Sequence, residues 1–307
     1  MKPRFLFAFC ISTAPFLFAC NKEIRPIDDD QVLVSLSMVS SDIIETDEPF
    51  TRAGGEEYTY AVLVSEYNTN TSSYEGYARG VFDSAQNISI RLTKNKKYSF
   101  KVALFKNFFS SGEQLNAYYN TDTTYTSANN KFVYDNMIFR QMHGGYSSAF
   151  RNNNGVAHSF FMGESFFGQK TDYNATSSSS LTIDLSRTSS FLEVVVNGMT
   201  EGKVTSTQMG IDFEIAYPQN SYSTWLTDSE YMQGSSFVKT LYIQYVDSQS
   251  KTTQLIYQNF TFLRNYKKTI TINLESTTPS SVSNSISLNV SNAELKTDTP
   301  ETFNCTI

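Results

Sequence analysis

Apolar residues recur at every second position in many short, separate segments, the spacing of strands with one buried face. Gln31–Met38 places Val32, Val34, Leu36 and Met38 on one side. Tyr58–Val64 is an almost continuous apolar run, and Asn87–Leu92 sets Ile88, Ile90 and Leu92 in alternation. Tyr98, Phe100, Val102 and Leu104 follow, with Ser99 and Lys101 opposite. A second set begins with Leu181, Ile183 and Leu185 and runs on through Phe191–Val196. It continues with Ile211, Phe213, Ile215 and Tyr217, then Phe237–Val246 and Leu255–Leu263. Tyr266, Lys268, Ile270, Ile272 and Leu274 come next, and Ile286, Leu288 and Val290 make a last short alternation. No segment keeps a 3.6-residue apolar stripe over three turns, and the only place for a helical turn or two is Glu113–Tyr119.

The pattern is sparsest from Asn120 to Ser180, and the serine run Ser177–Ser180 separates the two sets of strands. The expected organisation is therefore all-β, with two β-sandwiches in tandem: residues 31–180, then residues 181–307 with a tail. No repeat of fixed length runs through the chain, which argues against a solenoid or a propeller.

The first residues follow a different rule. Met1-Lys2-Pro3-Arg4 is basic, and a mostly apolar run from Phe5 to Ala19, broken by Pro15, follows it. That is a secretory signal in form, too short for a spanning helix of about twenty apolar residues. It ends in Leu17-Phe18-Ala19-Cys20, which resembles the bacterial lipoprotein box, where the chain is cut before a cysteine that is then acylated. The plainer alternative is a secretory signal with an incidental cysteine. On the first reading residues 1–19 are removed, Cys20 is the lipidation site, and residues 20–30 are a tether. The tether carries Asp28-Asp29-Asp30, which resembles an export signal of Gram-negative surface lipoproteins or is a plain linker. Cys10 leaves with the signal, so Cys305 is the one remaining free thiol and no disulfide framework can form within the chain.

Composition narrows the chemistry. Of 307 residues, 40% are hydrophobic, enough for a packed core, and the 19 Tyr and 24 Phe suit strands. The net charge of −6, without a long Lys/Arg run, leaves no footprint for nucleic acid. Two His and three Cys leave little for a metal site or a triad, and no cofactor is expected. There is no glycine-rich phosphate loop, no G-x-S-x-G elbow and no C-x-x-C pair. His143 and His158 have the chemistry of a general base, but neither has a partner at motif spacing. Asp83, Glu164, Asp184, Asp212 and Glu214 are the carboxylates available for glycoside hydrolysis. Asp212 and Glu214, however, alternate with Ile211, Phe213 and Ile215, as residues of a solvent face do. Trp225, the sole Trp, falls in the loop-like stretch Asn220–Ser229, as an exposed contact or a buried anchor. Asp83-Ser84-Ala85 matches a short O-glycosylation acceptor of some Gram-negative anaerobes, and an ordinary turn equally well. The expectation is that the chain is not an enzyme.

Five pieces, taken in order, carry a resemblance. They are the lipoprotein start at Cys20; the strand Gln31–Met38 followed by Phe50-Thr51-Arg52-Ala53; and Asn87–Leu92 leading into Lys97–Ala103. Next come Ser186-Arg187 with Phe191–Val196, and Leu263-Arg264-Asn265-Tyr266 running into Thr269–Ile272. Together these resemble the fimbrillin family of type V fimbriae, whose subunits have two transthyretin-like β-sandwiches. Two departures stand out: no Trp follows Trp225, and Leu104–Ser180 matches loosely.

The resemblance implies a stalk, tip or anchor subunit that joins other fimbrial subunits and is held to the outer membrane by lipid. It implies that an Arg-specific protease cuts between Arg52 and Ala53 and removes the strand before it; the plain alternative is that Arg52 is a solvated loop residue. A strand from a neighbouring subunit would then fill the groove by β-augmentation. Ile286, Leu288 and Val290 are either such a donor strand or the closing strand of the second sandwich. A competing reading is a surface lipoprotein that binds glycan or another ligand for outer-membrane uptake, through Trp225 and Tyr118-Tyr119. A secreted hydrolase is disfavoured by the missing nucleophile motifs.

Overall fold

The computed structural model describes residues 29–40, 57–86, 88–118, 122–143, 149–152, 154, 157–158, 160–206, 211–229, 232, 234–274, 286–294 and 303–306. The first strands are β1 (Gln31–Ser40), β2 (Tyr58–Asn68), β3 (Ser73–Phe82), β4 (Ser89–Thr93), β5 (Lys97–Lys106), β6 (Glu113–Tyr118) and β7 (Asp122–Tyr125). Short strands β8 (Phe132–Val133), β9 (Ile138–Phe139), β10 (Phe150–Asn152), β11 (Ala157–His158) and β12 (Phe160–Phe161) lead to β13 (Ser165–Asn174) and β14 (Ser179–Arg187). The later strands are β15 (Ser190–Asn197), β16 (Lys203–Ser206), β17 (Phe213–Ala216), β18 (Ser221–Asp228), β19 (Ser236–Val246), β20 (Thr252–Leu263), β21 (Tyr266–Leu274), β22 (Ile286–Glu294) and β23 (Phe303–Thr306). The one helical element among the described residues is a 3-10 turn, Arg140–Met142. The expected all-β sandwich fold is the fold observed.

Four sheets form. The largest runs β4-β1-β14-β13-β5-β2-β3-β8. It curls over one core, in which Val34, Ile90 and Ile183 from one end meet Val62, Phe100 and Val102 from the other. A five-stranded sheet, β11-β10-β6-β7 with β9 beside β6, packs on the far side of β2 and β5. There Ala61, Leu63, Ala103 and Phe105 meet Leu115 and Phe139. Strands β2 and β5 are thus covered on both faces, which is why Tyr58–Val64 reads as a continuous apolar run rather than an alternation. Later in the chain a six-stranded sheet, β12-β18-β15-β21-β22-β23, faces a four-stranded sheet, β17-β16-β19-β20. Leu192, Val194 and Ile270 of the former pack on Phe213, Leu241 and Ile243 of the latter.

Two expectations change. Glu113–Tyr118 is a strand, not a helical turn: Leu115 and Ala117 are buried at strand period, and the Asn116 amide N–H donates to the Gln141 side chain at 3.3 Å. Leu181, Ile183 and Leu185 do not open the second set of strands; they lie in the first core. The serine run is no boundary: Ser177 and Ser178 lie in the connection from β13 to β14, Ser179 and Ser180 begin β14 beside β1, and β13 pairs with β14 through Phe166 opposite Arg187 and Phe167 opposite Ser186. The chain passes to the later sheets at Thr188-Ser189.

That passage is a buried polar joint. Ser165 Oγ lies 2.8 Å from Thr188 Oγ1 and 2.6 Å from Thr227 Oγ1, and the Ser165 N–H donates to Ser189 Oγ at 3.3 Å. The short strand β12, which precedes β13, adds to the edge of β18, with Phe160 opposite Asp228 and Phe161 opposite Thr227. Phe161 itself packs among the aromatic side chains beneath β2 and β5. A segment that precedes β13 therefore closes an edge of the later six-stranded sheet.

Gly198, after β15, has φ +76, and a Cβ there would overlap the Leu274 carbonyl oxygen. A β-branched residue fits neither the backbone angle nor the space. Gly198→Val is expected to lose about 2–3 kcal/mol, read as a lower urea midpoint at unchanged slope.

Candidate functional site

Strand β1 is the first described strand in chain order. It is an interior strand, antiparallel to β4 from Gln31 opposite Thr93 to Ser35 opposite Ser89. It is parallel to β14 from Val34 opposite Ser179 to Ser40 opposite Leu185. Val32, Val34, Leu36 and Met38 are buried, while Ser35 and Ser37 face solvent, as period-2 alternation requires. The Leu36 N–H donates to the Ile88 carbonyl at 2.8 Å, and the Leu33 N–H to Ser178 Oγ at 3.1 Å.

In the strand order β4 meets the rest of its sheet only through β1. Three tyrosines nevertheless hold β4 without β1. Tyr77 OH donates to the Arg91 carbonyl at 3.0 Å, and the Arg91 N–H donates to Tyr134 OH at 3.2 Å. The Thr93 N–H donates to Tyr98 OH at 3.0 Å, and Tyr98 OH in turn donates to Glu66 Oε2 at 3.0 Å. Tyr77 packs edge-on against both Tyr98 and Tyr134. Burial raises the Tyr77 and Tyr98 hydroxyls above the ordinary phenol range, so both remain protonated donors. On the other side β14 stays paired with β13. Removing β1 would leave a slot walled by β4 and β14 and floored by the first core, with backbone donors and acceptors open on both walls.

Cys20, Arg52 and Ala53 lie outside the described residues. Ile286, Leu288 and Val290 fall on β22, whose backbone pairs antiparallel with β21, opposite Leu274, Ile272 and Ile270. In that sheet β22 lies between β21 and the edge strand β23, and its side chains are not described. The tyrosine clamp on β4 was not legible as a site, because Tyr77 and Tyr134 carry no motif and look like ordinary packing aromatics.

The candidate chemistry is dispersed. His143 is exposed at the end of the 3-10 turn, and of His158 only the backbone in β11 is described. Glu164 accepts from Arg187 at 2.8 Å, and Glu214 pairs with Lys203 at 2.8 Å. Asp83 after β3, Asp184 on β14 and Asp212 before β17 are exposed. Ser84 Oγ accepts the Gln86 N–H at 3.1 Å in a turn after β3. Among the described residues no group of three His, Cys, Asp or Glu is placed to hold a metal. Trp225 is on strand β18 rather than in a loop, half-buried edge-on to Phe191 at 5.0 Å and beneath the Arg187 guanidinium at 5.6 Å. Tyr118 lies under Arg140 at 4.5 Å. A polar cleft of about 410 Å³ lies beside Glu66, Asn68, Glu75 and Lys96. Its side chains bind one another: Glu75 accepts from Asn68 and Thr71, and Glu66 pairs with Lys96 at 3.2 Å.

No family model matches the sequence, and no curated protein matches it. Among solved structures, the chain is similar to the tip fimbrial protein Mfa3 from Porphyromonas gingivalis with C-terminal truncation. That match has 11% identity, covers 85% of this chain and 99% of that one, and has a TM-score of 0.37. The fimbrial anchor protein Mfa2 from Porphyromonas gingivalis is 9% identical over 86% of this chain and 98% of that one, with a TM-score of 0.41. A fimbrial assembly protein from Parabacteroides distasonis is 14% identical over 88% of this chain and 98% of that one, with a TM-score of 0.34. These neighbours are fimbrial proteins, and the likeness of this chain to them is one of fold.

Proposed function

We propose that this chain is a cell-surface fimbrial subunit or assembly protein, tethered before cleavage by an acylated Cys20 that leaves together with β1, and that β1 is a releasable closing strand. Cleavage at Arg52-Ala53 cuts β1 from the rest of the chain, and a strand from another subunit takes its place. The observation that supports this most is the position of β1. It lies between two strands that are each held by other contacts, and it ends at Ser40, before the segment that carries Arg52. Its four buried side chains contribute roughly 1.5–3 kcal/mol each, so the slot offers an incoming strand about 6–12 kcal/mol before ordering costs. The role is structural and assigns no catalytic residue. Substituting His143 and His158 together is expected to leave folding and strand capture intact.

The test is a capture experiment. The protein is treated with an Arg-specific protease in dilute urea and offered a labelled peptide of the β1 sequence, residues 31–40. A complex that survives SDS, formed by the wild type and not by Arg52→Ala, is the expected result. Equal labelling of both, or of neither, removes the reading. Anchoring is tested separately: Cys20→Ala is expected to move the protein from the detergent phase to the aqueous phase, and unchanged partition would refute the lipid.

A further inference from the structure

The slot under β1 has four positions. Val32 stands opposite Leu92 and Val34 opposite Ile90 on β4, while Leu36 stands opposite Leu181 and Met38 opposite Ile183 on β14. All four are at most 6% exposed, so none of the four positions lies in solvent. A replacement strand therefore needs four apolar residues at alternate positions. The tail of this chain has three. On the side that carries Ile286, Leu288 and Val290, the next alternate residues are Asn284 before and Asn292 after. The pattern is polar at both ends, so every register that fills three positions of the slot places an asparagine in the fourth, whichever way the strand runs. A buried amide without partners is strongly disfavoured against an apolar side chain.

The same tail fits its own sheet position by position. Ile286, Leu288 and Val290 stand opposite Leu274, Ile272 and Ile270 of β21. Asn292 stands opposite Lys268, and Glu294 opposite Tyr266. Lys268 is a charged residue only 5% exposed, lying over the rings of Phe260 and Phe262, so the polar end of the tail meets the polar end of β21. From Ile286 to Asn292 polar stands opposite polar and apolar opposite apolar over seven residues, and a strand matched in that way is in its home register.

The geometry points to a subunit that accepts a strand and does not donate one. Its slot takes a strand from a different chain, one with four alternating apolar residues, and its own tail strand β22 remains in its own six-stranded sheet, between β21 and β23. Such a subunit ends a row of subunits rather than extending it. This inference rests on the strand-acceptor reading proposed above.

The experiment compares three labelled peptides on the protease-treated full chain: residues 31–40, residues 284–294, and residues 284–294 carrying Asn292→Val. The β1 peptide and the Asn292→Val peptide are expected to be captured, and the unmodified tail at least about ten-fold less, the effect of one mismatched buried position. Capture of the unmodified tail as tightly as the β1 peptide overturns the inference while leaving the acceptor reading intact. Failure of the Asn292→Val peptide alongside capture of the β1 peptide also overturns it, because the asparagine is then not what excludes the tail. Failure of the β1 peptide itself removes the acceptor reading, and this inference with it.

Discussion

Val34→Asp is expected to unfold the first core. Val34 is fully buried, and it is one of the two β1 residues paired on both sides at once, opposite Ile90 of β4 and Ser179 of β14. The substitution removes a buried apolar side chain and puts an unpaired carboxylate in its place. The transfer term alone is about 1.5–3 kcal/mol, and an uncompensated buried charge adds several more. The sum approaches the whole stability of an ordinary domain, about 5–15 kcal/mol. Ser35→Asp is the control, because Ser35 faces solvent one position along the same strand. It is expected to fall within about 0.5 kcal/mol of wild type. Near-ultraviolet circular dichroism and urea titration read both. Equal behaviour of the two variants would contradict the register assigned to β1.

Arg187→Ala is expected to loosen the joint between the two sets of sheets. The guanidinium pairs with Glu164 at 2.8 Å, donates to Asn265 Oδ1 at 3.0 Å, and lies over the rings of Phe166 and Trp225. The Arg187 side chain is 13% exposed and that of Glu164 15%, so solvent offers Glu164 little replacement; Lys106 remains, but at 3.8 Å. A loss of about 2–3 kcal/mol follows, at the lower end for breaking a buried pair because both groups keep some water. Trp225 is the sole tryptophan, so its emission should shift to the red in Arg187→Ala before global unfolding. Arg187→Lys keeps the charge but not the planar fork that serves Glu164 and Asn265 together, and should recover only part of the loss. An unshifted emission maximum and an unchanged urea midpoint would show that the joint does not depend on this residue.

The residues that were legible from sequence are those whose burial has a single period. Val32, Val34, Leu36 and Met38 could be placed on one face because β1 is covered on one side only. Ile270 and Ile272 were legible for the same reason. Tyr58–Val64 marked a strand without showing its neighbours, since a strand covered on both faces has no alternation to read. Glu113–Tyr118 was misread because Glu113, Gln114 and Asn116 are polar, and what buries Leu115 and Ala117 is a second sheet that no local pattern announces. Ser177–Ser180 looked like a boundary because a strand connection and the solvent-facing start of a strand draw on the same small polar residues as an interdomain linker. Trp225 looked like a loop residue because Ser221, Ser223 and Thr224 surround it, yet Ser221 and Ser223 are simply the exposed alternate positions of a strand. The site itself was half legible. The strand that fills the slot carries a pattern; of the tyrosines that keep the slot's wall in place, Tyr98 shows only the alternation of an ordinary strand, and Tyr77 and Tyr134 show no pattern at all.

The most direct test of the account is mass spectrometry of the chain taken from the surface of its native cells. An N-terminus at Ala53, with residues 31–40 absent and a foreign strand retained after washing in SDS without heating, is the predicted result. An acylated N-terminus at Cys20 alone, with β1 still joined to the rest of the chain in assembled material, would contradict the claim that β1 is a releasable closing strand.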